Sequence, residues 1–128
     1  MTQTISYGPI RLGLHAAIDW LLVAIALAGP FVLGYTNQFW PTVYSYGAVG
    51  IGIVLNVITD YPGGLLKLLP MRWHQLVEWT SPAPFIAGPW LLFPNATEMK
   101  WLLTGIGLGV LANTALTQKL KNAVPSTS

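Results

Sequence analysis

Residues 12–34 read LGLHAAIDWLLVAIALAGPFVLG, an apolar run that is interrupted near its start by two ionisable side chains, His15 and Asp19. A helix of about 20 residues crosses the roughly 30 Å of hydrocarbon in a bilayer, so this run is long enough to span one. Three further apolar runs cover residues 41–59, 72–93 and 99–118. The sequence therefore predicts an all-α fold, an integral membrane four-helix bundle.

The composition points the same way. Hydrophobic residues make up 53% of the chain and charged residues only 8%, whereas about a quarter of a typical soluble domain is charged. Six basic and four acidic side chains are too few to cover a water-soluble globule of this size. The scattered basic residues form no patch, which excludes nucleic-acid binding. The absence of cysteine excludes disulfides and cysteine-type metal sites.

The chain is similar to itself at a spacing of 59 residues, which pairs His15 with His74 and Asp19 with Glu78. At a spacing of 57, Gly50, Gly52 and Asn56 meet Gly107, Gly109 and Asn113. We interpret residues 1–128 as a single membrane domain with one repeat over about 11–60 and a second over about 70–118. Each repeat is predicted to be a two-helix hairpin. Two hairpins of the same orientation imply a pseudo-twofold axis along the membrane normal.

Basic residues predict the orientation in the membrane. One side holds five of them and the other side one: Arg11, Lys67, Arg72, Lys119 and Lys121 against Lys100. Because short loops rich in Lys and Arg stay in the cytoplasm, both termini are expected there. Three tryptophans fall near predicted helix ends, as in an aromatic belt at the membrane interface: Trp40, Trp73 and Trp101.

The repeated pattern of a histidine, an acid four residues later, an apolar run and a Gly-Pro-aromatic step resembles the SPW-repeat family of small bacterial membrane proteins. The steps are Gly29-Pro30-Phe31 and Gly88-Pro89-Trp90, where the family has Ser-Pro-Trp. The linker Thr59-Asp60-Tyr61, followed by Pro70-Met71, is also similar. The resemblance implies a four-helix fold and a place in the bacterial inner membrane. It implies no activity.

Six polar residues are the candidates for a polar centre or a ligand site: His15, Asp19, His74, Glu78, Asn56 and Asn113. Residues four apart share a helix face, so each histidine can contact its own acid. The leading interpretation is a polar clasp between the first and third spans, in a non-enzymatic structural or accessory membrane protein. No triad or phosphate-binding loop suggests a hydrolase or a nucleotide enzyme.

Three other interpretations of the same residues stay open. His15 and His74 are candidate axial ligands of a haem, each oriented by its acid. The imidazoles and carboxylates are alternatively a proton path or a small-ligand pocket. Two histidines and two carboxylates also have the ligand count of a closed structural zinc site.

Prolines and glycines predict irregular helices. Gly29-Pro30 and Gly88-Pro89 are expected to be matching kinks, and Pro82, Pro84 and Pro89 should bend or unwind the third span. Asn95 and Glu98 form a capping-box pattern before the fourth span. The expected partners are the lipid bilayer and either further copies of the chain or another membrane protein, packed on the glycine-rich faces.

Overall fold

A computed structural model describes residues 3–5, 8–117 and 120–122. These residues form five α-helices and two short strands. In chain order they are β1 (Gln3–Ile5), α1 (Leu12–Val32), α2 (Phe39–Ile58), α3 (Met71–Thr80), α4 (Pro82–Leu92), α5 (Thr97–Leu116) and β2 (Leu120–Asn122).

Three of the predicted spans are single helices. α1, α2 and α5 have 21, 20 and 20 residues and are apolar enough to cross a membrane. At a rise of 1.5 Å per residue, each is about 30 Å long, close to the thickness of the hydrocarbon layer. The structure thus contains three helices with the length and composition of membrane spans.

The third predicted span is divided into α3 and α4 at Ser81, as its prolines led us to expect. Ser81 keeps helical backbone angles, and its amide donates to the carbonyl of Val77. Pro82 and Pro84 then lack the amide hydrogen that the helical ladder needs. The two helices therefore follow one another with only one residue between them.

The start of α5 corrects the predicted capping box. α5 begins at Thr97, its N-cap is Ala96, and no side chain caps the helix. Ala96 is buried in a small apolar cluster with Tyr35 and Met99, while Asn95 stays exposed. Burial of the Ala96 methyl group therefore sets the helix start in place of an asparagine cap.

A glycine in the left-handed region ends α1. Gly34 has φ +75°, its amide donates to the carbonyl of Phe31, and the amide of Tyr35 donates to the carbonyl of Pro30. This is the Schellman arrangement, which satisfies carbonyls that the helix end leaves free. A short turn over residues 35–38 then leads into α2.

The strand pair is an addition to the predicted all-α fold. β1 and β2 are antiparallel, with Thr4 opposite Lys121, so extended segments from the two ends of the chain satisfy each other's backbone groups. Two sequence predictions fall on residues outside the described ones: the end of the fourth span at residue 118 and the position of Lys119.

α1 packs against α2 and α5, and α5 also packs against α3 and α4. At the end of the bundle where α1 meets α2, Tyr35, Ala96, Met99 and Leu103 form an apolar core cluster. Many large apolar side chains elsewhere are exposed, among them Leu21, Val32, Leu91 and Trp101. This distribution, apolar outside and polar inside, is the one that lipid favours.

The two Gly-Pro steps are points of close approach. Both glycines lie inside helices, and a Cβ at Gly29 would overlap the side chain of Leu102, just as a Cβ at Gly88 would overlap the Tyr44 hydroxyl. Pro30 and Pro89 are buried in the last turns of α1 and α4. Side chains of neighbouring helices thus fill the space beside both steps.

Candidate functional site

The polar centre is a ring of two histidines and two carboxylates. His15 Nε2 lies 3.2 Å from Asp19 Oδ2 and 3.1 Å from Glu78 Oε2. His74 Nε2 lies 3.1 Å from Asp19 Oδ2 and 3.1 Å from Glu78 Oε1. Each imidazole therefore contacts its own acid and the acid of the other helix. We call these four residues the ring.

The ring is removed from solvent. Both histidines are fully buried, and Asp19 and Glu78 are 5% and 3% exposed. Four ionisable groups in one buried cluster are expensive unless their charges cancel. Two protons shared among the four side chains make the ring neutral, because each proton offsets one carboxylate charge.

Two threonines fix the orientation of the imidazoles. Thr117 Oγ1 lies 2.6 Å from His15 Nδ1, and Thr59 Oγ1 lies 2.6 Å from His74 Nδ1. Each hydroxyl donates its own hydrogen to a backbone carbonyl one turn earlier in its helix. It must therefore accept from the imidazole, so Nδ1 carries a hydrogen and Nε2 is the atom that faces the ring.

Asn113 and Tyr61 complete the contacts of Asp19. The Asn113 amide donates to Asp19 Oδ1 at 2.8 Å and to the carbonyl of His15 at 3.1 Å. The Tyr61 hydroxyl donates to Asp19 Oδ2 at 3.2 Å. Burial of this phenol, followed by the negative charge of Asp19, raises the pKa of Tyr61, so Tyr61 stays a donor over the whole physiological range.

Asn56 lines the same cavity as Asp19 and Glu78 but differs from Asn113 in its hydrogen bonds. It is 3% exposed like Asn113, but its amide nitrogen has no hydrogen-bond partner among the described residues. The ring contains four of the six candidates, Asn113 donates to one of its carboxylates, and Asn56 lies beside it. The buried positions of α2 and α5 correspond at a spacing of 58, with Ser45, Val49 and Thr59 matching Leu103, Gly107 and Thr117. At that spacing Asn56 matches Thr114, not Asn113.

Two short extended segments outside the helices form backbone bridges with the threonines that contact the ring. Ile10 forms an isolated parallel bridge with Thr117, and Leu69 forms another with Thr59. Each segment leads into the helix that carries a ring histidine, and each bridge holds the threonine that this histidine contacts. The backbone thus fixes both Thr–His pairs in the same way.

A cavity of about 90 Å³ lies against the carboxylate side of the ring. Its polar lining comes from Asp19, Asn56, Glu78 and Ser81, and the rest of the wall is apolar. This volume admits several water molecules. The carboxylates of Asp19 and Glu78 therefore border a small space inside the bundle.

The ring geometry argues against the haem alternative. A haem with two axial histidines lies flat between their Nε2 atoms. Here Asp19 Oδ2 lies within 3.2 Å of both Nε2 atoms, and the imidazole centroids are 5.6 Å apart. The carboxylates therefore occupy the place that a macrocycle needs.

Three partners of the ring were missed by the sequence reasoning. Thr59 and Tyr61 were noted only as part of the linker, and Thr117 was not considered. Threonine recurs at a spacing of 58, at the end of the second helix of each predicted repeat. This recurrence was the sequence signal that could have indicated Thr59 and Thr117. A buried threonine is common at a helix end, so this signal was weak by itself.

Comparisons with known proteins add no assignment. No family model matches the chain, and searches of curated proteins and of solved structures find no match. The geometry of the ring is therefore the basis for the proposals that follow.

Proposed function

We propose that this chain is a non-enzymatic structural or accessory protein of the bacterial inner membrane, built as a four-span bundle from two tandem hairpins. In this proposal α1, α2, α3–α4 and α5 are the spans, and the ring is the polar clasp that joins them. The observation that carries the proposal is the convergence of four helices on one buried cluster. α1 and α3 supply the ring itself, while α5 supplies Asn113 and the threonines follow α2 and α5.

The tandem arrangement is supported by paired contacts. The contact of Thr117 with His15 has a counterpart in the contact of Thr59 with His74, at the same 2.6 Å. Each threonine also sits in a parallel bridge to the segment that precedes its histidine's helix. Two equivalent hairpins related by a twofold axis would produce these pairs.

The orientation is supported by where the basic residues lie. Arg11 and Arg72 lie at the start of the two helices that carry the ring, and Lys67 lies in the loop between α2 and α3. Lys100 lies in the first turn of α5, at the opposite end. By the positive-inside rule, the ring end faces the cytoplasm.

Single cysteines test the four-span topology, because the native chain has no cysteine to remove. Leu66→Cys, Asn37→Cys and Asn95→Cys place thiols at exposed loop positions. In intact spheroplasts, a membrane-impermeant maleimide should label residues 37 and 95 but not 66, which should react only after the membrane is opened.

Residue 95 decides whether α3–α4 crosses the membrane. If this helix pair lay on the cytoplasmic surface, residue 95 would be protected together with residue 66. Protection of residue 95, or labelling of residue 66 in intact spheroplasts, would overturn the proposed topology. Thr2→Cys is a useful further label for the position of the N-terminus.

A further inference from the structure

We propose that the ring binds one divalent transition-metal cation of the zinc class, held by His15 Nε2, His74 Nε2 and one oxygen each from Asp19 and Glu78. This inference goes beyond the structural role proposed above and does not depend on the membrane topology. It rests on the geometry of the ring, on a buried nitrogen without a partner, and on the tautomer that the threonines impose.

The size of the ring matches a tetrahedral site. Zinc binds histidine nitrogens and carboxylate oxygens at about 2.0–2.2 Å, so neighbouring ligand atoms lie about 3.4 Å apart. The nitrogen–oxygen distances around the ring are 3.1–3.2 Å, and the two that involve Glu78 end on its two different oxygens, one of which would bind the ion. One ligand atom from each residue lies within 4.8 Å of the others. A tetrahedral site would form if the distance between the two nitrogens and the distance between the two oxygens shortened to about 3.4 Å.

His15 Nε2 is buried without a hydrogen-bond partner among the described residues. Two carboxylate oxygens lie within 3.2 Å of it, but the angles are unsuitable for a hydrogen bond. Glu78 Oε2 is also without a partner. Such orphaned atoms are costly when they are buried, and a cation between them would satisfy both.

The threonines prepare both imidazoles for a metal. Because Thr59 and Thr117 accept from Nδ1, each neutral histidine presents the Nε2 lone pair to the ring. Metal-binding histidines usually donate their other nitrogen hydrogen to a fixed acceptor, which holds the ring plane and the tautomer. Thr59 and Thr117 are positioning residues of this kind.

The charge of the two carboxylates favours a divalent cation. Two carboxylates and one divalent cation are neutral together, as are two carboxylates and two protons. Metal binding would therefore exchange two protons for one ion. Tyr61 is the further titratable group that faces the ring among the described residues, and it contributes a neutral hydroxyl. Two nitrogen and two oxygen ligands favour zinc over calcium or magnesium, which prefer more numerous oxygen ligands.

The first experiment uses the full chain, purified in detergent and stripped with a chelator. Zn²⁺ is titrated by calorimetry in two buffers of different ionisation enthalpy, and Co²⁺ is added to a parallel sample as an optical probe. We expect one Zn²⁺ per chain, release of about two protons per ion, and the visible bands of tetrahedral Co²⁺. A folded wild-type chain that binds neither ion at micromolar concentration would overturn the proposal.

Variants then locate the site. Glu78→Gln and His74→Gln keep side-chain size and remove a ligand, and each should abolish the tetrahedral Co²⁺ bands. Asp60→Asn, which changes an exposed acid outside the ring, should leave them unchanged. Binding that survives both ring variants, or is lost in Asp60→Asn, would contradict the assignment. Should the ring variants fail to fold, the stoichiometry, proton release and Co²⁺ spectrum of the wild type still decide the proposal.

The positioning role has its own test. Thr117→Val should weaken Zn²⁺ binding by about 10- to 100-fold while the tetrahedral Co²⁺ spectrum persists at saturation. Thr80→Val is the matched control, since the Thr80 hydroxyl is exposed and donates only within its own helix. Equal affinities for the two variants would show that the hydroxyl at residue 117 does not orient a ligand.

Discussion

Asn56 and Asn113 have the same side chain and the same 3% exposure, but among the described residues only the Asn113 amide nitrogen is hydrogen-bonded. Asn113 donates to a carboxylate and to a backbone carbonyl, whereas the Asn56 amide nitrogen has no partner among the described residues. A buried donor contributes to stability only when its hydrogen bonds are made. The two asparagines should therefore respond oppositely to the same substitution.

Asn113→Leu should lower the free energy of unfolding by about 1–3 kcal/mol, because Asp19 loses a donor. Asn56→Leu should be neutral or stabilising, because it removes an unpaired polar group of similar volume. Unfolding of both variants in the same detergent provides the comparison. Equal losses would indicate that the two asparagines are equivalent, as the spacing of 57 suggested.

Tyr35 is a buried phenol at the other end of the bundle, outside the helical spans. It is 1% exposed, and its hydroxyl donates to Ser45 Oγ at 2.7 Å, since that serine donates onward to the carbonyl of Pro41. Burial raises the pKa of Tyr35. The folded chain therefore keeps this phenol neutral at a pH where the unfolded chain ionises it.

This pKa difference predicts a loss of stability in alkali. Below the ordinary phenol pKa of about 10, the contribution of Tyr35 is constant. Above that pH only the unfolded state releases the proton, so the contribution falls by up to about 1.4 kcal/mol per pH unit until the folded pKa is reached. The difference in unfolding free energy between wild type and Tyr35→Phe, measured from pH 8 to about pH 11, should shrink. A constant difference would contradict the raised pKa.

At the residue level, the sequence predicted the ring members but not their partners. The four-residue spacing within a helix, repeated twice in an apolar chain, was enough to expect His15, Asp19, His74 and Glu78 in one polar centre. Thr59 and Tyr61 contact the ring only because the bridge at Leu69 and the loop after α2 bring them there. Such long-range placement leaves no local pattern in the sequence.

The glycines of α5 show that close packing between helices depends on where a glycine lies and not on how many glycines the helix contains. A Cβ at Gly107 would lie 2.6 Å from Cγ1 of Ile86, whereas a Cβ at Gly105 would meet nothing within 4 Å. Close helix packing therefore depends on Gly107 and on Gly109, where a Cβ would lie 3.0 Å from Cδ2 of Leu22, but not on Gly105.

Gly107→Ala should destabilise the bundle by about 1–3 kcal/mol, because the methyl group forces α4 and α5 apart. Gly105→Ala should be neutral or stabilising by up to about 1 kcal/mol, since alanine has the higher helix propensity. Thermal unfolding in one detergent compares the two. Matching melting temperatures for both variants would contradict the close contact at Ile86.

At the scale of elements, the apolar runs located the long helices, and proline located the division between α3 and α4. The start of α5 was not predictable in the same way. An asparagine cap contributes about 1 kcal/mol, which burial of Ala96 beside Met99 can match. A capping pattern in the sequence therefore predicts the first residue of a helix only where tertiary packing does not favour a different start.

At the scale of the whole molecule, the described residues place many large apolar side chains on the outside and the four ionisable side chains of the ring on the inside. Leu21 on α1 is 57% exposed and Leu68 in the loop before α3 is 73% exposed. If lipid surrounds the helices, these two exposed leucines have different surroundings. Leu21 would face acyl chains, and Leu68 would lie near the headgroups.

Leu21→Lys should reduce the amount of chain recovered in the membrane fraction, because a lysine within a span costs about 2.5–3.5 kcal/mol on insertion scales. Leu68→Lys should be tolerated. Quantitative blotting of the membrane fraction, with equal expression of both variants, compares them. Equal recovery would argue against lipid contact along this face of α1.

The division of the ring between α1 and α3 has a consequence for chain cleavage. A cut in the exposed loop at Leu66 would leave each fragment with one imidazole and one carboxylate. Each fragment would then hold half of the side chains that make the ring neutral. Neither fragment alone could complete the cluster, but two fragments together would contain every polar group of the intact chain. Reassociation of the two fragments would restore the neutral cluster, so the buried charges would favour the rejoining of the cut chain.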